Sequence, residues 1–409
     1  MCGFAGFVGD VEDREQVLTD MMNTIIHRGP DSEGKFLDED AALGFRRLSI
    51  IDLSEEGDQP LYNEDRSKVL VFNGEIYNYQ ELREELVEAG HIFTSNTDSE
   101  TLLHGYEQWG ETLVDKLRGM YAFVIWDREK KRLFGARDIF GIKPFYYAQM
   151  NGTLMFGSEI KSFLEHPKFD KVFNEAALGN YLSFQFVPTN ETFFKGVFCL
   201  QPGHFFVYEN EEMKITRYFE PNFTGDSKKS FEEIVEDVQK AMEESVEKHK
   251  ISDVEVASYL SSGVDSSYLT YLGQVDRTFT VGFDEGKYSE IQDAKEFAAS
   301  INMQNDAKVI TPAEYWDKLS DIQYYMDEPV ADPAAIALYF LSEEASKKVK
   351  VVLSGEGSDE LFGGYNIYCE PLEHTGFNKL PMFFRRFLGK FAEYCLPRGM
   401  KGRGFLMRH

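Results

Sequence analysis

The chain has 409 residues, enough for two or three domains at roughly 150 residues each, and a sizeable core is easily buried. Lys and Arg number 43 against 70 Asp and Glu, and the net charge of −27 argues against nucleic acid or an anionic membrane surface as the main partner, so bound phosphates must be held by local features. No apolar run has membrane-spanning length, Met1-Cys2-Gly3 lacks the charged start and apolar core of a signal peptide, and the four cysteines (Cys2, Cys199, Cys369, Cys395) show neither disulfide nor zinc spacing, so a cytoplasmic location is expected.

The opening Cys2-Gly3-Phe4-Ala5-Gly6-Phe7-Val8 is strand-like, with cysteine at its tip. If the initiator methionine is removed, Cys2 gains a free α-amine, with a usual pKa near about 8, beside its own thiol; one residue then supplies nucleophile and general base. The bland alternative is a small residue tolerated after Met. Helical patterns occupy 14–26 and 79–89. Arg46-Arg47-Leu48-Ser49-Ile50-Ile51-Asp52 reads as a strand edge with arginines at its start, and the planar fork of Arg47 suits a substrate carboxylate, although surface pairing is commoner for a lone arginine. The buried strand 69–72 runs into Asn73-Gly74-Glu75. That pair is either a simple turn or an oxyanion hole in which the Asn73 amide and the Gly74 N–H donate together. Thr97-Asp98-Ser99-Glu100 has the pattern of a capping box opening a helix, which alone accounts for Asp98.

The segments 121–134, 145–156 and 205–218 are aromatic and β-branched, split by turns, and predict antiparallel sheet. A polar linker is expected over 219–229. Apolar residues from Phe231 to Val246 at three- and four-residue spacing then predict an amphipathic helix that opens a second domain. Strand patterns at 254–260, 278–283, 307–310 and 348–353 alternate with helical ones, which implies a parallel, doubly wound sheet with ligands outside the carboxyl ends of the strands. Leu260-Ser261-Ser262-Gly263-Val264-Asp265-Ser266-Ser267 follows the first of these, with a helix expected from Ser266. Its backbone N–H groups and helix dipole make a phosphate cradle, and Asp265 is placed to hold Mg²⁺; the alternative is an ordinary Ser/Gly loop. Ser354-Gly355-Glu356-Gly357-Ser358-Asp359-Glu360 follows another strand. Asp332-Pro333 reads as the capped start of a helix.

Cys2-Gly-Phe-Ala-Gly, His27-Arg28-Gly29-Pro30-Asp31, Arg47-Leu48-Ser49-Ile50, Asn73-Gly74-Glu75-Ile76-Tyr77-Asn78 and Arg137-Asp138 with Gly141 resemble the glutaminase domain of class II amidotransferases. With the two glycine-bearing loops of the second half, essentially the whole chain resembles glutamine-hydrolysing asparagine synthetases. The resemblance implies an α+β N-terminal-nucleophile hydrolase sandwich (αββα) over 1–218, the linker, and an α/β doubly wound ATP pyrophosphatase domain over 230–409. It implies Cys2 as nucleophile, Asn73 and Gly74 as oxyanion donors, and a glutamine site of Arg47, Leu48, Ser49, Ile50, Ile51, Asn73, Gly74, Glu75 and Asp98. It places ATP at Leu260, Ser261, Ser262, Gly263, Asp265, Ser266, Val281, Ser354 and Gly355, Mg²⁺ at Asp265 and Asp359, and Glu356 at the adenylated intermediate. For Leu260 and Val281, core packing at strand ends remains an alternative. The implied substrates are glutamine, aspartate and ATP, and a homodimer is compatible with the resemblance. The usual loop of the family reads Ser-Gly-Gly-x-Asp-Ser, with Ser262 here at the first glycine, and family members usually continue further and contribute a lysine to the adenylating site. Two other readings stay open: an amidotransferase for another carboxylate, such as a peptide or cell-wall precursor, and a truncated remnant without catalysis.

Overall fold

The computed structural model describes residues 1–223, 225, 228–283, 290–366, 368–369, 377, 379–397 and 399–408, so positions 224, 226 and 227 of the expected linker lie outside the described residues. The chain divides into two compact units, Met1–Leu353 and Ser354–His409.

In the first unit, strands β1 (Gly3–Val8), β2 (Ser32–Leu37), β3 (Ala41–Arg47), β4 (Leu61–Tyr62), β5 (Lys68–Ile76), β6 (Gly119–Asp127), β7 (Arg132–Arg137), β8 (Tyr146–Met150), β9 (Thr153–Gly157), β10 (Val197–Cys199), β11 (His204–Glu209) and β12 (Glu212–Arg217) form two antiparallel sheets. Their orders are β10-β8-β9-β1-β3-β2 and β12-β11-β7-β6-β5-β4. The two-residue period of a strand explains the layering. Phe4 and Val8 of β1, Leu43 and Phe45 of β3, and Val69 and Val71 of β5 meet in one core between the sheets. Ala5 and Phe7 point the other way, onto Leu18, Met21 and Met22 of helix α1 (Arg14–Asn23). Leu70 and Phe72 point away from the first sheet, onto Leu102, Leu103 and Tyr106. Those three belong to α3 (Asp98–Trp109), which packs beside α2 (Tyr79–Glu88). Helix, sheet, sheet, helix is the expected αββα sandwich. Each fully buried Phe, Leu or Val in these layers contributes about 1.5–3 kcal/mol.

Two local expectations are corrected. Arg46 and Arg47 end β3 rather than begin a strand, and residues 48–52 leave the sheet, with Asp52 at φ 54. The apolar Leu48, Ile50 and Ile51 that suggested a strand line a pocket instead. Asn73-Gly74 is also no turn, because β5 runs straight through it, pairing Asn73 with Ala122 and Gly74 with Tyr121.

After α4 (Glu175–Phe184), a capping box of Ser230 and Glu233 opens α5 (Phe231–His249). Strands β13 (Val256–Tyr259), β14 (Arg277–Phe283), β15 (Gln304–Ile310) and β16 (Val351–Leu353) form a parallel sheet in the order β15-β14-β13-β16. Between them run α6 (Val264–Gly273), α7 (Ile291–Ser300), α8 (Pro312–Met326) and α9 (Ala334–Ser346). Ala257 and Phe279 face Ala345 of α9, whereas Val256 and Leu353 face Val246 of α5 and Leu269 of α6. Helices therefore cover both faces, as doubly wound patterning requires. The second unit contains α10 (Ser358–Phe362), α11 (Met382–Cys395) and α12 (Arg403–Arg408). Among the described residues no helix is long and apolar enough to cross a membrane.

Candidate active site

Cys2 sits just before β1, against the exit of β3. Its Sγ accepts from Leu48 N at 3.3 Å and its thiol donates to Leu48 O at 3.5 Å, while its carbonyl accepts from Arg28 Nε at 2.9 Å. Burial pushes the thiol pKa up, against the Leu48 N–H that favours a thiolate. A neutral resting thiol needs a base close by.

The thiol lies in a pocket of about 60 Å³ whose lining includes Arg47, Leu48, Ile50, Ile51, Asn73, Gly74, Glu75 and Asp98. Of the glutamine-site residues expected from sequence, Ser49 alone is missing from that lining. Its N–H donates to Asp31 Oδ2 at 2.9 Å instead. Asn73 is buried, and its Nδ2 has no hydrogen-bond partner. A buried donor left unmade costs about 1–3 kcal/mol, so it marks a place where an acceptor is meant to arrive. Gly74 has to be glycine, since a Cβ there would lie 2.2 Å from Met120 O.

The first turn of α3 supplies Asp98, whose Oδ2 accepts from Ile76 N at 2.8 Å. The capping box expected there forms by half. Thr97 Oγ1 accepts from Glu100 N at 3.4 Å, but the Glu100 carboxylate turns back to the N–H groups of Thr94 and Ser95, each at 2.8 Å. Burial, then the charge of Asp98, pushes Glu75 up to about 7; burial pushes Asp98 up to about 6 against the N–H bonds that hold it. Two buried carboxylates with raised pKa values in one pocket are a seat for a cation such as an α-ammonium. Glutamine KM is accordingly expected to be lowest above pH 7 and to rise as pH falls through about 7 and then about 6, because protonation removes the charge that binds the ammonium. Hydrolysis rates measured across roughly pH 5 to 9 would show this, and Glu75→Gln should remove the upper step. For the empty pocket the stability linkage has the opposite sense. The stabilisation is fully present below the ordinary values of 4.5 and 3.8 and is lost as pH rises through about 6 and 7.

Arg47 does not present a free fork. Nη1 donates to Ser54 O and Asp58 Oδ1, both at 2.7 Å, and Nη2 donates to Ile51 O at 3.5 Å and to Asp52 O, so the guanidinium ties down the 51–58 loop. Gly57 makes room for it, as a Cβ there would meet Nη2 at 2.3 Å. Sequence reasoning missed Gln59, which clamps Phe72 N at 2.6 Å, and the buried Lys143 in the pocket wall. Asp138 builds the turn that delivers this lysine, accepting from Phe140 N, Ile142 N and Lys143 N. Burial lowers the Lys143 pKa, and Glu75 opposes this. A lysine closing the Arg-Asp-to-Gly141 turn was the available signal.

In the second half of the first unit, the strand order reverses between β13 and β16, so a ligand crevice is expected outside the carboxyl end of β13. Ser261, Ser262 and Gly263 lie there. Ser261 N donates to Ser266 Oγ at 3.1 Å, Ser262 N to Glu290 Oε2 at 3.1 Å and Gly263 N to Ser261 Oγ at 3.1 Å, so successive amides already point at oxygen acceptors, one of them anionic. Ser262 is absent from the positive-φ positions, which removes the steric objection to serine at that point. Helix α6 begins at Val264, two residues earlier than expected, with Gly263 as N-cap, so Asp265 is exposed in its first turn. Leu260 is buried beside Ala294 and Ala298, and Val281 packs in the core with Ile310. In the second unit, Ser354 and Glu356 are exposed, Gly357 takes φ 94, and Asp359 opens α10, with Gly364 close enough that a Cβ there would meet Oδ1 at 2.0 Å. Asp332 Oδ1 accepts from Ala334 N at 2.9 Å, but α9 begins at Ala334 with Pro333 as its N-cap, one residue later than expected.

A buried ionic chain links the Cys2 backbone to α8. Arg28, which holds the Cys2 carbonyl, pairs with Glu159 at 2.8 Å; Lys161 pairs with Glu159 at 2.5 Å and with Asp327 at 2.7 Å. The pocket loop is tied the same way, as Asp253 N donates to Ile50 O at 3.0 Å and Lys350 pairs with Asp31 at 2.5 Å.

The family model described as a glutamine amidotransferase domain matches residues 1–219, and that described as asparagine synthase matches 237–408. The chain belongs to the glutamine-hydrolysing asparagine synthetase family. It is 44% identical to asparagine synthetase [glutamine-hydrolyzing] 1 of Bacillus subtilis, over 100% of this chain and 66% of that protein. It is 41% identical to a putative asparagine synthetase [glutamine-hydrolyzing] of Mycobacterium tuberculosis, over 100% and 67%. It is 33% identical to a second such protein of Methanocaldococcus jannaschii, over 94% and 79%. The chain thus spans about two thirds of the length of the first two synthetases.

Proposed function

We propose that this chain carries the glutaminase site and the nucleotide-binding loops of a glutamine-dependent asparagine synthetase. Residues 1–218 form the glutaminase domain, 219–229 the linker and 230–409 the ATP-binding domain, in a cytoplasmic enzyme compatible with a homodimer. The observation that carries this reading is the unpartnered Asn73 Nδ2, buried in the pocket that also holds the Cys2 thiol and the Glu75 and Asp98 pair.

After removal of Met1, the Cys2 α-amine takes the thiol proton and the thiolate attacks the glutamine side-chain amide. Asn73 and Gly74 receive the oxyanion. Collapse expels ammonia, which takes a proton from the α-ammonium, and water then cleaves the thioester to glutamate. Glu75 and Asp98 hold the α-ammonium of the substrate, and the loop that Arg47 ties down, with the guanidinium charge behind it, receives the α-carboxylate. Ammonia passes through the protein to the second site, where a side-chain carboxylate oxygen of aspartate attacks the α-phosphorus of ATP and pyrophosphate leaves. Ammonia attack on the acyl-adenylate then releases AMP and asparagine. Leu260, Ser261, Ser262, Gly263, Ser266, Val281, Ser354 and Gly355 bind ATP, and Glu356 faces the adenylated intermediate. The exposed carboxylate of Asp265, beside an amide-lined loop, has the hard oxygen chemistry that suits Mg²⁺, and Asp359 is the second carboxylate for it. When bound, that ion neutralises pyrophosphate charge.

Pyrophosphate release by the full-length protein, measured across aspartate and other carboxylate acceptors, tests the assignment; aspartate is expected to be preferred. Asp265→Asn keeps size but loses charge, so it should weaken pyrophosphate release and shift its Mg²⁺ dependence while leaving glutamine hydrolysis intact. An unchanged Mg²⁺ dependence would make Asp265 structural.

A further inference from the structure

Behind the glutamine pocket, on the far side of α3, four side chains from three separate elements converge. His104 and Glu107 lie one turn apart on α3, His91 follows α2, and Glu64 sits in the turn after β4. Their inner atoms approach one another: His104 Nδ1 is 3.1 Å from Glu107 Oε2 and 3.8 Å from Glu64 Oε2, and His91 Nδ1 is 3.8 Å from Glu107 Oε2. One ligand atom each from Glu64, His91 and His104 falls within a sphere of mutual separations below 4.8 Å. Ligand atoms at the corners of a tetrahedral zinc site, with bonds near about 2.0–2.2 Å, stand roughly 3.4 Å apart.

The outer atoms of the same side chains are also held. His104 Nε2 is 3.5 Å from Glu100 Oε1, and that carboxylate is in turn fixed by Thr94 and Ser95. His91 Nε2 lies 3.3 Å from Gln108 Oε1, Glu107 Oε1 accepts from Asn63 Nδ2 at 2.6 Å, and Glu64 Oε1 accepts from Ile92 N at 3.3 Å. His91, Glu107 and Glu64 thus each have one atom hydrogen-bonded from outside and one turned inward, while His104 Nε2 has only the Glu100 charge beside it and no hydrogen bond. That is the arrangement in which outer hydrogen bonds orient imidazoles and carboxylates toward a metal. His104 is fully buried, whereas Glu64 is exposed, and both line one surface hollow, so an ion has an entry path.

The geometry points to a divalent transition-metal site, of the zinc class, formed by Glu64, His91 and His104 with Glu107 against both imidazoles, which clamps α3 to the chain segments after β4 and α2. Two imidazoles and a carboxylate without thiolate match that class of ion. The rival is a metal-free cluster of ion pairs.

The test uses Zn²⁺ alone, titrated calorimetrically into metal-stripped full-length protein carrying Cys2→Ala, so that the thiol of the glutaminase pocket does not compete. Saturable uptake of a single Zn²⁺ per chain is expected. It should be lost on His91→Ala and on Glu64→Gln, both at partly exposed positions where folding is retained, as checked by circular dichroism. Glu100→Gln, which among the cluster's side chains touches only His104, at Nε2, should weaken binding by about 10–100-fold, with folding checked in the same way because Glu100 also holds Thr94 and Ser95. Co²⁺ in place of Zn²⁺ should give tetrahedral visible bands without a thiolate charge-transfer band. No saturable uptake, or uptake unchanged in folded His91→Ala, would overturn the site and leave the ion-pair cluster. Because glutamine hydrolysis is not the readout, failure here is separate from failure of the proposed function.

Discussion

Cys2→Ala is expected to abolish glutamine-dependent product formation in the full-length protein, by a factor on the order of 10⁴ or more, and to leave ammonia-dependent formation unchanged. The thiol is the nucleophile of the glutaminase site, and in the pocket wall no other thiol stands in for it. Alanine removes Sγ and its contacts with Leu48 but keeps β1 and the Arg28 bond to the Cys2 carbonyl, which are the features that join the site to the ionic chain through Glu159, Lys161 and Asp327. Rates with glutamine and with ammonium as nitrogen donor, measured on the same preparation, separate the two sites. Equal loss of both would contradict a reading in which Cys2 serves only ammonia supply.

The second large effect belongs to Asn73. Its side-chain amide is the unpartnered buried donor of the pocket, so Asn73→Ala should lower kcat for glutamine hydrolysis by about 10²–10³-fold, with a smaller effect on KM. The reasoning is differential: the bond to the substrate oxygen strengthens as negative charge develops on it. Removing a donor that has no partner in the folded chain should also leave stability intact or raise it, whereas removal of a structural hydrogen bond would lower it. Thermal unfolding of the variant, measured beside its kcat, checks both halves.

The sandwich was legible because strand alternation and helix periodicity survive in Phe4 to Val8, Val69 to Phe72 and Leu102 to Tyr106, each of which buries the faces its pattern announces. Boundaries were less so. Leu48, Ile50 and Ile51 look like strand residues but are apolar because they wall a pocket, and α6 starts two residues before Ser266, with Ser261 and Ser266 bonding across the turn. Lys143 carries only the weak signal of closing the Asp138 turn, whereas Gln59 is invisible for a different reason: its importance comes from burial in a wall assembled by distant strands, and no local spacing records it. The same holds for Glu64, His91 and His104, which lie on separate elements. Arg47 shows the converse, a residue that lines the pocket but whose fork is committed to carbonyls and the Asp58 carboxylate of its own loop.

The most direct test of the two-site account is to supply the full-length protein with amide-nitrogen-labelled glutamine, ATP, Mg²⁺ and aspartate, with unlabelled ammonium in the medium, and to follow label and AMP by mass spectrometry. The account predicts asparagine carrying the labelled nitrogen, formed in step with AMP, with little dilution by ammonium from solution. Labelled ammonia released without labelled asparagine or AMP would contradict it.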